Sequence, residues 1–175
     1  MAYTSSLTTG ERAQRKLLLT VAEWTPEGAS ATPKRVILGK RTEDSSIEFN
    51  ADVETSTDIL GITYSDINKT EPQQTFDPAY IIGGDDLMSY LSQAALKNDI
   101  NAYNGKFNVY IIEAWMKDTN KYYAVKHANC SIIPTSIGGD SFASMPFTVY
   151  FSNDITEGSV DKLSNDFEFT PAVSA

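Results

Sequence analysis

Cysteine is almost absent from this chain of 175 residues, with Cys130 as its single example. One thiol cannot form an internal disulfide, which excludes a disulfide-stabilised secreted scaffold and suits a reducing cytosol. Histidine is equally scarce, and His127 stands alone. A structural zinc site needs four ligands, and two residues three apart on a strand point to opposite faces. We therefore expect no metal site and no Cys–His nucleophile.

Long apolar runs are also missing. No stretch approaches the roughly 20 residues that a membrane helix needs, and residues 1–10 lack the apolar segment of a signal peptide. We expect no membrane insertion and no targeting segment.

Positive charge is in deficit, with 14 Lys and Arg against 23 Asp and Glu and a net charge of −9. Affinity for DNA comes mainly from basic side chains that neutralise phosphates. This charge balance excludes a protein that binds a specific DNA sequence. Repulsion of DNA is compatible with this charge balance and would act over roughly 8 Å at physiological salt.

Catalytic motifs are lacking. Gly83-Gly84 runs into Asp85-Asp86, whose charge would repel the phosphate that a glycine loop binds, so a tight turn into a helix is the better interpretation. Residues 139–145 lack the second glycine of a nucleophile elbow. We expect no catalytic residue, no cofactor and no enzyme activity.

Two similar pentapeptides stand far apart in the chain, IGGDD at 82–86 and IGGDS at 137–141. Each follows an apolar residue and precedes a new element. Five residues do not establish a duplication, and both are interpreted as turns.

The chain is rich in β-strand chemistry, with nine Tyr and eight Phe. Strands are predicted over 13–24, 35–41, 48–54, 59–65, 106–116, 121–133 and 146–151, with a last strand or tail in 160–171. One helix is predicted over 85–98, because Leu87, Leu91 and Ala94 form an apolar stripe at helical spacing. The pattern predicts a mainly β fold, a β-sandwich or partial barrel with one flanking α-helix.

We expect one domain over residues 1–175. An N-terminal arm (1–12), an extended loop (67–80) and a C-terminal tail (164–175) are predicted as its projecting parts. The loop belongs to the stretch 68–86, which has too many glycines and prolines for a regular element.

A row of polar residues alternates with apolar ones in residues 48–54, which indicates a strand with one polar face. A hairpin with residues 59–65 that pairs Val53 with Leu60 gathers the apolar side chains on one face. This register leaves 55–58 as the turn. It predicts that the apolar face packs into the sandwich.

Residues 51–78, the helix entry YIIGGDDLMSYL at 80–91 and the distal run at 131–160 carry a family resemblance. These three stretches resemble the major tail tube proteins of long-tailed bacteriophages and prophages. The resemblance implies the tail tube fold, which tube proteins of contractile tails and of type VI secretion share.

That resemblance also implies a function. Subunits of this family form stacked hexameric rings, a hollow tube through which DNA passes without specific binding. The implied partners are other copies of the chain, the tape measure protein and the tail-end or terminator proteins. The implied location is the virion tail, with synthesis in the host cytoplasm.

Two sets of candidate site residues follow from the resemblance. The channel-lining candidates are Glu48, Asn50, Asp52 and Glu54; the alternative is an ordinary solvated outer face. The candidates for contact between subunits or rings are Lys69, Thr70, Glu71, Pro72, Gln73, Gln74, Thr75 and Phe76; the alternative is a loop that only connects hairpin to helix.

A β-sandwich binding module for carbohydrate, or a receptor-facing tail component, is the second functional class. Such modules use exposed Trp and Tyr, but Trp24 and Trp115 both fall in predicted strands, which favours packing. A hydrolase ranks third.

Overall fold

The computed structural model describes residues 3–26, 32–42 and 45–172. Over these residues the chain forms twelve strands and one α-helix. The strands are β1 (Thr4–Ser5), β2 (Leu18–Trp24), β3 (Lys34–Ile37), β4 (Ile47–Glu48), β5 (Ala51–Thr57), β6 (Thr63–Thr70), β7 (Gln73–Phe76), β8 (Phe107–Asp118), β9 (Lys121–Pro134), β10 (Phe147–Tyr150), β11 (Ile155–Val160) and β12 (Phe169–Pro171). Helix α1 (Asp86–Leu96) lies between β7 and β8, and 3₁₀ turns span Arg15–Leu17 and Ile100–Ala102.

The long strand β9 belongs to two sheets. Residues Tyr122–His127 of β9 pair with β11, whereas Ser131–Pro134 pair with β10. The first sheet has the order β3-β2-β8-β9-β11-β12, with β1 beside the end of β8, and the second has the order β9-β10-β7-β4. Asn129 has a left-handed φ of 58° between the two paired segments.

The main core lies between the two sheets and α1. It includes Trp24, Phe76, Leu91, Phe107 and Val149, each buried. A second apolar cluster covers the opposite face of the first sheet, where Tyr110 and Phe167 pack edge to face with ring centroids 5.0 Å apart. The mainly β architecture with one flanking helix that the sequence predicts is confirmed.

Helix α1 begins at Asp86, directly after the N-terminal capping residue Asp85. The side chain of Asp85 accepts hydrogen bonds from the backbone N–H groups of Leu87 and Met88, both at 3.1 Å. Leu87, Met88, Leu91 and Ala94 are buried against the sheets. The helix predicted over 85–98 therefore exists and ends at Leu96.

The hairpin of β5 and β6 exists, but its predicted register is wrong. Val53 lies opposite Ile67, not Leu60, and the turn spans 58–62 instead of 55–58. The predicted packing of its apolar face into the sandwich is also wrong, because every residue of β5 and β6 is exposed. These two strands form a separate two-stranded sheet, called the arm below (residues 51–70).

Other predicted boundaries change as well. The stretch 68–86 is not an irregular loop throughout, because it contains the end of β6 and the whole of β7. Part of the predicted N-terminal arm pairs with β8, where Ser6 N–H donates to the Trp115 carbonyl at 2.8 Å. Residues 1–2 of that arm and 173–175 of the predicted tail lie outside the described residues.

Candidate functional site: the hairpin arm

The arm continues the ribbon formed by β4 and β7. Glu48 pairs with Gln73, the Glu71 N–H donates to the Phe49 carbonyl at 3.0 Å, and pairing resumes at Ala51. Asn50 interrupts the ribbon with a φ of 44°, a left-handed conformation that Asn tolerates well. Its Nδ2 donates to the Glu71 carbonyl at 3.1 Å, so the side chain holds the kink between body and arm.

The two faces of the arm differ in chemistry. Cross-strand pairing places Val53 with Ile67, and Thr55 with Ser65, on one apolar and hydroxylic face. The acidic face carries Asp52, Glu54, Ser56, Tyr64 and Asp66. The alternation that the sequence predicts is therefore present, although neither face packs on the sandwich.

Charge on the acidic face is only partly compensated. Glu54 lies directly opposite Asp66, an arrangement of like charges that destabilises a sheet pair, whereas Asp52 lies opposite Lys69. Lys69 bonds Glu71 at 2.7 Å, and this hydrogen bond is the main cause that raises the pKa of Lys69, with the charges of Glu71 and Asp52 adding to it.

The turn at residues 58–62, called the tip, is ordered by one carboxylate. Asp58 Oδ1 accepts from Leu60 N–H at 2.8 Å and from Ile62 N–H at 3.0 Å. Gly61 supplies the positive φ of 78° that the turn requires. The side chains of Ile59 and Leu60 project into solvent and are 102% and 79% exposed.

The channel-lining candidates lie along one ribbon but not on one strand. Glu48 is exposed on β4 and accepts from Gln73 Nε2 at 3.3 Å, Asn50 occupies the kink, and Asp52 and Glu54 lie on the acidic face of the arm. Their orientation toward a channel stays a prediction.

The contact candidates divide into three groups. Lys69 and Thr70 end β6, Glu71 and Pro72 form the kink, and Gln73 to Phe76 form β7. The side chains of Gln74 and Phe76 are buried within the subunit, at 0% and 1% exposure, and the role of the whole set in contacts between chains stays a prediction. Gln74 accepts a hydrogen bond from Thr20 Oγ1 at 2.9 Å in the core.

Sequence reasoning missed the tip, because it assigned residues 59–65 to a strand. The signal that could have found it is the turn chemistry of Asp58 and Gly61 around an apolar pair. An Asp that can accept from the backbone two residues ahead favours a turn at its own position.

No family model and no curated protein matches the chain. Solved structures to which the chain is similar include the following two. The anti-feeding prophage cap, the tube-terminating cap of AFP, is 15% identical with a TM-score of 0.44 and covers 87% of this chain and 97% of its own. The PVC sheath–tube complex of an extracellular contractile injection system, in its extended state, is 14% identical with a TM-score of 0.40, covering 82% of this chain and 88% of its own.

The histidine and the cysteine of the chain, His127 and Cys130, both lie on strand β9. His127 Nδ1 lies 3.0 Å from the Ser152 carbonyl, and burial raises the pKa of the Cys130 thiol. Across residues 3–26, 32–42 and 45–172, no three His, Cys, Asp or Glu side chains are placed to hold a metal ion together. In the same residues no helix is long and apolar enough to cross a membrane.

Proposed function

We propose that this chain is a structural subunit that assembles through its arm into stacked hexameric rings, which form a tail tube for DNA delivery. The observation that carries the proposal is an ordered hairpin whose apolar side chains face water. A two-stranded hairpin is at best marginally stable alone, and a large exposed apolar patch marks an interaction site.

Exposed apolar residues concentrate in this region. Seven of the fifteen exposed large hydrophobic side chains of the described residues lie within 49–67. They are Phe49, Val53, Ile59, Leu60, Ile62, Tyr64 and Ile67. A subunit whose arm packs on its neighbours removes this surface from water, which is the main favourable term in association.

Open sheet edges give a second line of support. In the described residues, β3 pairs only with β2, β4 only with β7, and β12 only with β11. Unpaired edges attract other strands, and natural proteins cover them. Neighbouring subunits in a closed ring would supply that cover.

The charge pattern suits a conduit. Asp52, Glu54 and Asp66 share one face of the arm, and the whole chain carries −9. A negative wall repels phosphate and lets a duplex slide without specific binding. We propose further that the side chains of Glu48, Asp52 and Glu54 face the channel. The tape measure protein and the tail-end proteins are the partners that this proposal includes.

The alternative of a carbohydrate-binding module gains no support from its tryptophans. Trp24 is 3% exposed, and Trp115 lies within β8 and is half-buried. Because Trp24 is buried, it offers no open ring face on which a sugar could stack.

The test is assembly of the purified protein at high concentration, followed by electron microscopy and sedimentation. V53D places a charge on the apolar face of the arm, and I155D places the same charge at an exposed apolar residue of β11 as a matched control. We expect tubes with six subunits per ring from the wild type and I155D, and monomers from V53D. A wild type that stays monomeric, or V53D tubes, would refute the proposal.

A further inference from the structure

A second exposed apolar surface lies on the body of the protein. It is a cleft of about 460 Å³ lined by Arg41, Tyr80, Ile81, Ile82, Gly83 and Phe142. Phe142 is 76% exposed at its rim. Arg41 is the only ionisable cation among these lining residues, and it makes no ion pair with any residue that the structure describes.

The cleft lies where residues 79–83 run beside residues 142–145, next to the two similar pentapeptides. Ile81 N–H donates to the Ala143 carbonyl at 3.0 Å, and Met145 N–H donates to the Ala79 carbonyl at 2.7 Å. Gly138 and Ser144 exchange both backbone hydrogen bonds, at 3.0 and 2.6 Å, which closes the loop that carries Phe142. The cleft is therefore formed before anything binds, which lowers the entropy cost of docking.

The tip and the cleft lie at opposite ends of one ribbon. The arm leaves β7 at its Gln73 end, whereas the chain leaves the Phe76 end of β7 to reach the cleft at Tyr80. From Thr63 to Phe76 the strand path is about 40 Å long at about 3.3 Å per residue. Because all residues of β5 and β6 are exposed, the arm does not fold back on its own body, and its tip cannot fill its own cleft.

We propose that the tip of one copy docks in the cleft of a second copy, with Ile59 and Leu60 inserted beside Phe142 and Asp58 near Arg41. The tip offers two exposed aliphatic side chains beside an acid, and the cleft offers apolar walls with one cation that forms no ion pair within residues 3–26, 32–42 and 45–172. The inference rests on the proposed self-assembly and names the surfaces that carry it.

The direction of growth follows from this contact. Tip and cleft are unlike surfaces, so the contact is heterologous, and its repetition from copy to copy gives an open-ended polymer where the rotation between copies does not close a ring. We assign it to the contact between successive rings, which is the open-ended direction of the proposed tube.

The first experiment compares L60D at the tip, F142D at the cleft and I155D as a matched control, since all three replaced residues are exposed and apolar. We expect L60D and F142D to lose sedimentable polymer while I155D keeps it. Circular dichroism and thermal unfolding of each variant confirm that the monomers stay folded.

The second experiment needs no polymer. L60C and F142C are mixed in equal amounts under mild oxidation, with L60C and I155C as the control pair; Cys130 is buried and does not compete. We expect disulfide-linked dimer from the first pair and loss of that product in the control pair.

The outcomes separate the inference from the proposed function. If the wild type and F142D both form polymer, and L60C with F142C gives no more dimer than the control, the tip-to-cleft contact is overturned while self-assembly stands. If the wild type does not polymerise, the proposed tube falls and the cross-link decides the contact by itself: a dimer supports the contact, and its absence overturns it.

Discussion

Arg35 joins three parts of the fold, and its removal gives a prediction that can be worked from the structure. Its Nε lies 2.5 Å from Oε2 of Glu23, and its Nη1 donates to the Phe167 carbonyl at 2.5 Å. The guanidinium carbon lies 4.5 Å from the ring centroid of Phe167 and 5.5 Å from that of Tyr110. Glu23 is 9% exposed at its side chain, so R35M leaves a nearly buried carboxylate without its cation.

The expected cost is about 2–3 kcal/mol. Breaking a buried ion pair costs about 3–5 kcal/mol, but Asn108 Nδ2 and the Tyr110 hydroxyl still donate to Glu23 Oε1, at 2.8 and 3.2 Å. For a domain of this size such a loss lowers Tm by about 5–10 °C. Urea and thermal unfolding at pH 7 measure it, and the double variant E23Q/R35M should cost less than R35M because no unpaired charge remains. R35M within about 0.5 kcal/mol of the wild type would refute the reasoning, since that is the size of an ordinary surface substitution.

The same pair predicts a dependence on pH. Burial raises the pKa of Glu23, but the hydrogen bonds from Asn108 and Arg35 and the charge of Arg35 outweigh it, so the pKa lies below its usual value of 4.5. The stabilisation is therefore complete above pH 4.5 and is lost as the pH falls through the lowered folded-state pKa. The stability gap between wild type and R35M should narrow across that acidic range, and a gap that stays constant would contradict the assignment.

Three further predictions concern other parts of the fold. A Cβ at Gly158 would lie 2.7 Å from the Phe169 ring, so G158A should lower unfolding free energy by about 1–3 kcal/mol in urea titrations and speed amide exchange in β12; unchanged exchange there would contradict it. L91A removes a fully buried core side chain and should cost about 2–5 kcal/mol by thermal unfolding, with a cost near zero contradicting the burial. D58A removes two hydrogen bonds that order the tip, so tip amides should exchange faster while global Tm stays within about 1 °C, and a large fall in Tm would show that the arm supports the body.

The sequence predicts local features of the arm but not its register. Alternating side chains identify a strand and its two faces correctly, because that period is a property of the strand itself. The register of a strand pair is specified when one of its faces is buried. Both faces of this hairpin are exposed, so no burial energy favours the predicted pairing of Val53 with Leu60. The Asp58 turn sets the register instead.

Long-range contacts are beyond what the sequence alone predicts. Arg35 and Phe167 are in contact although they are far apart in the chain. The sequence predicts one strand over residues 121–133, but it does not indicate that this strand, β9, takes part in two sheets. The two IGGD pentapeptides are typical of turns, yet nothing in either indicates that residues 79–83 and 142–145 beside them form one cleft. Such contacts depend on topology, which local periodicity does not encode.

The continuity of the arm with β7 has a mechanical consequence. A pull on the tip acts along the axis of β7, whose hydrogen bonds to β4 and β10 run across that axis. Such a load shears those bonds together and does not open them one at a time. The two neighbours of β7 therefore share the tension, and through β10 it reaches β9 and the first sheet. A stretching force applied at the tip would be borne by the body of the subunit, with the kink at Asn50 as the first element to straighten.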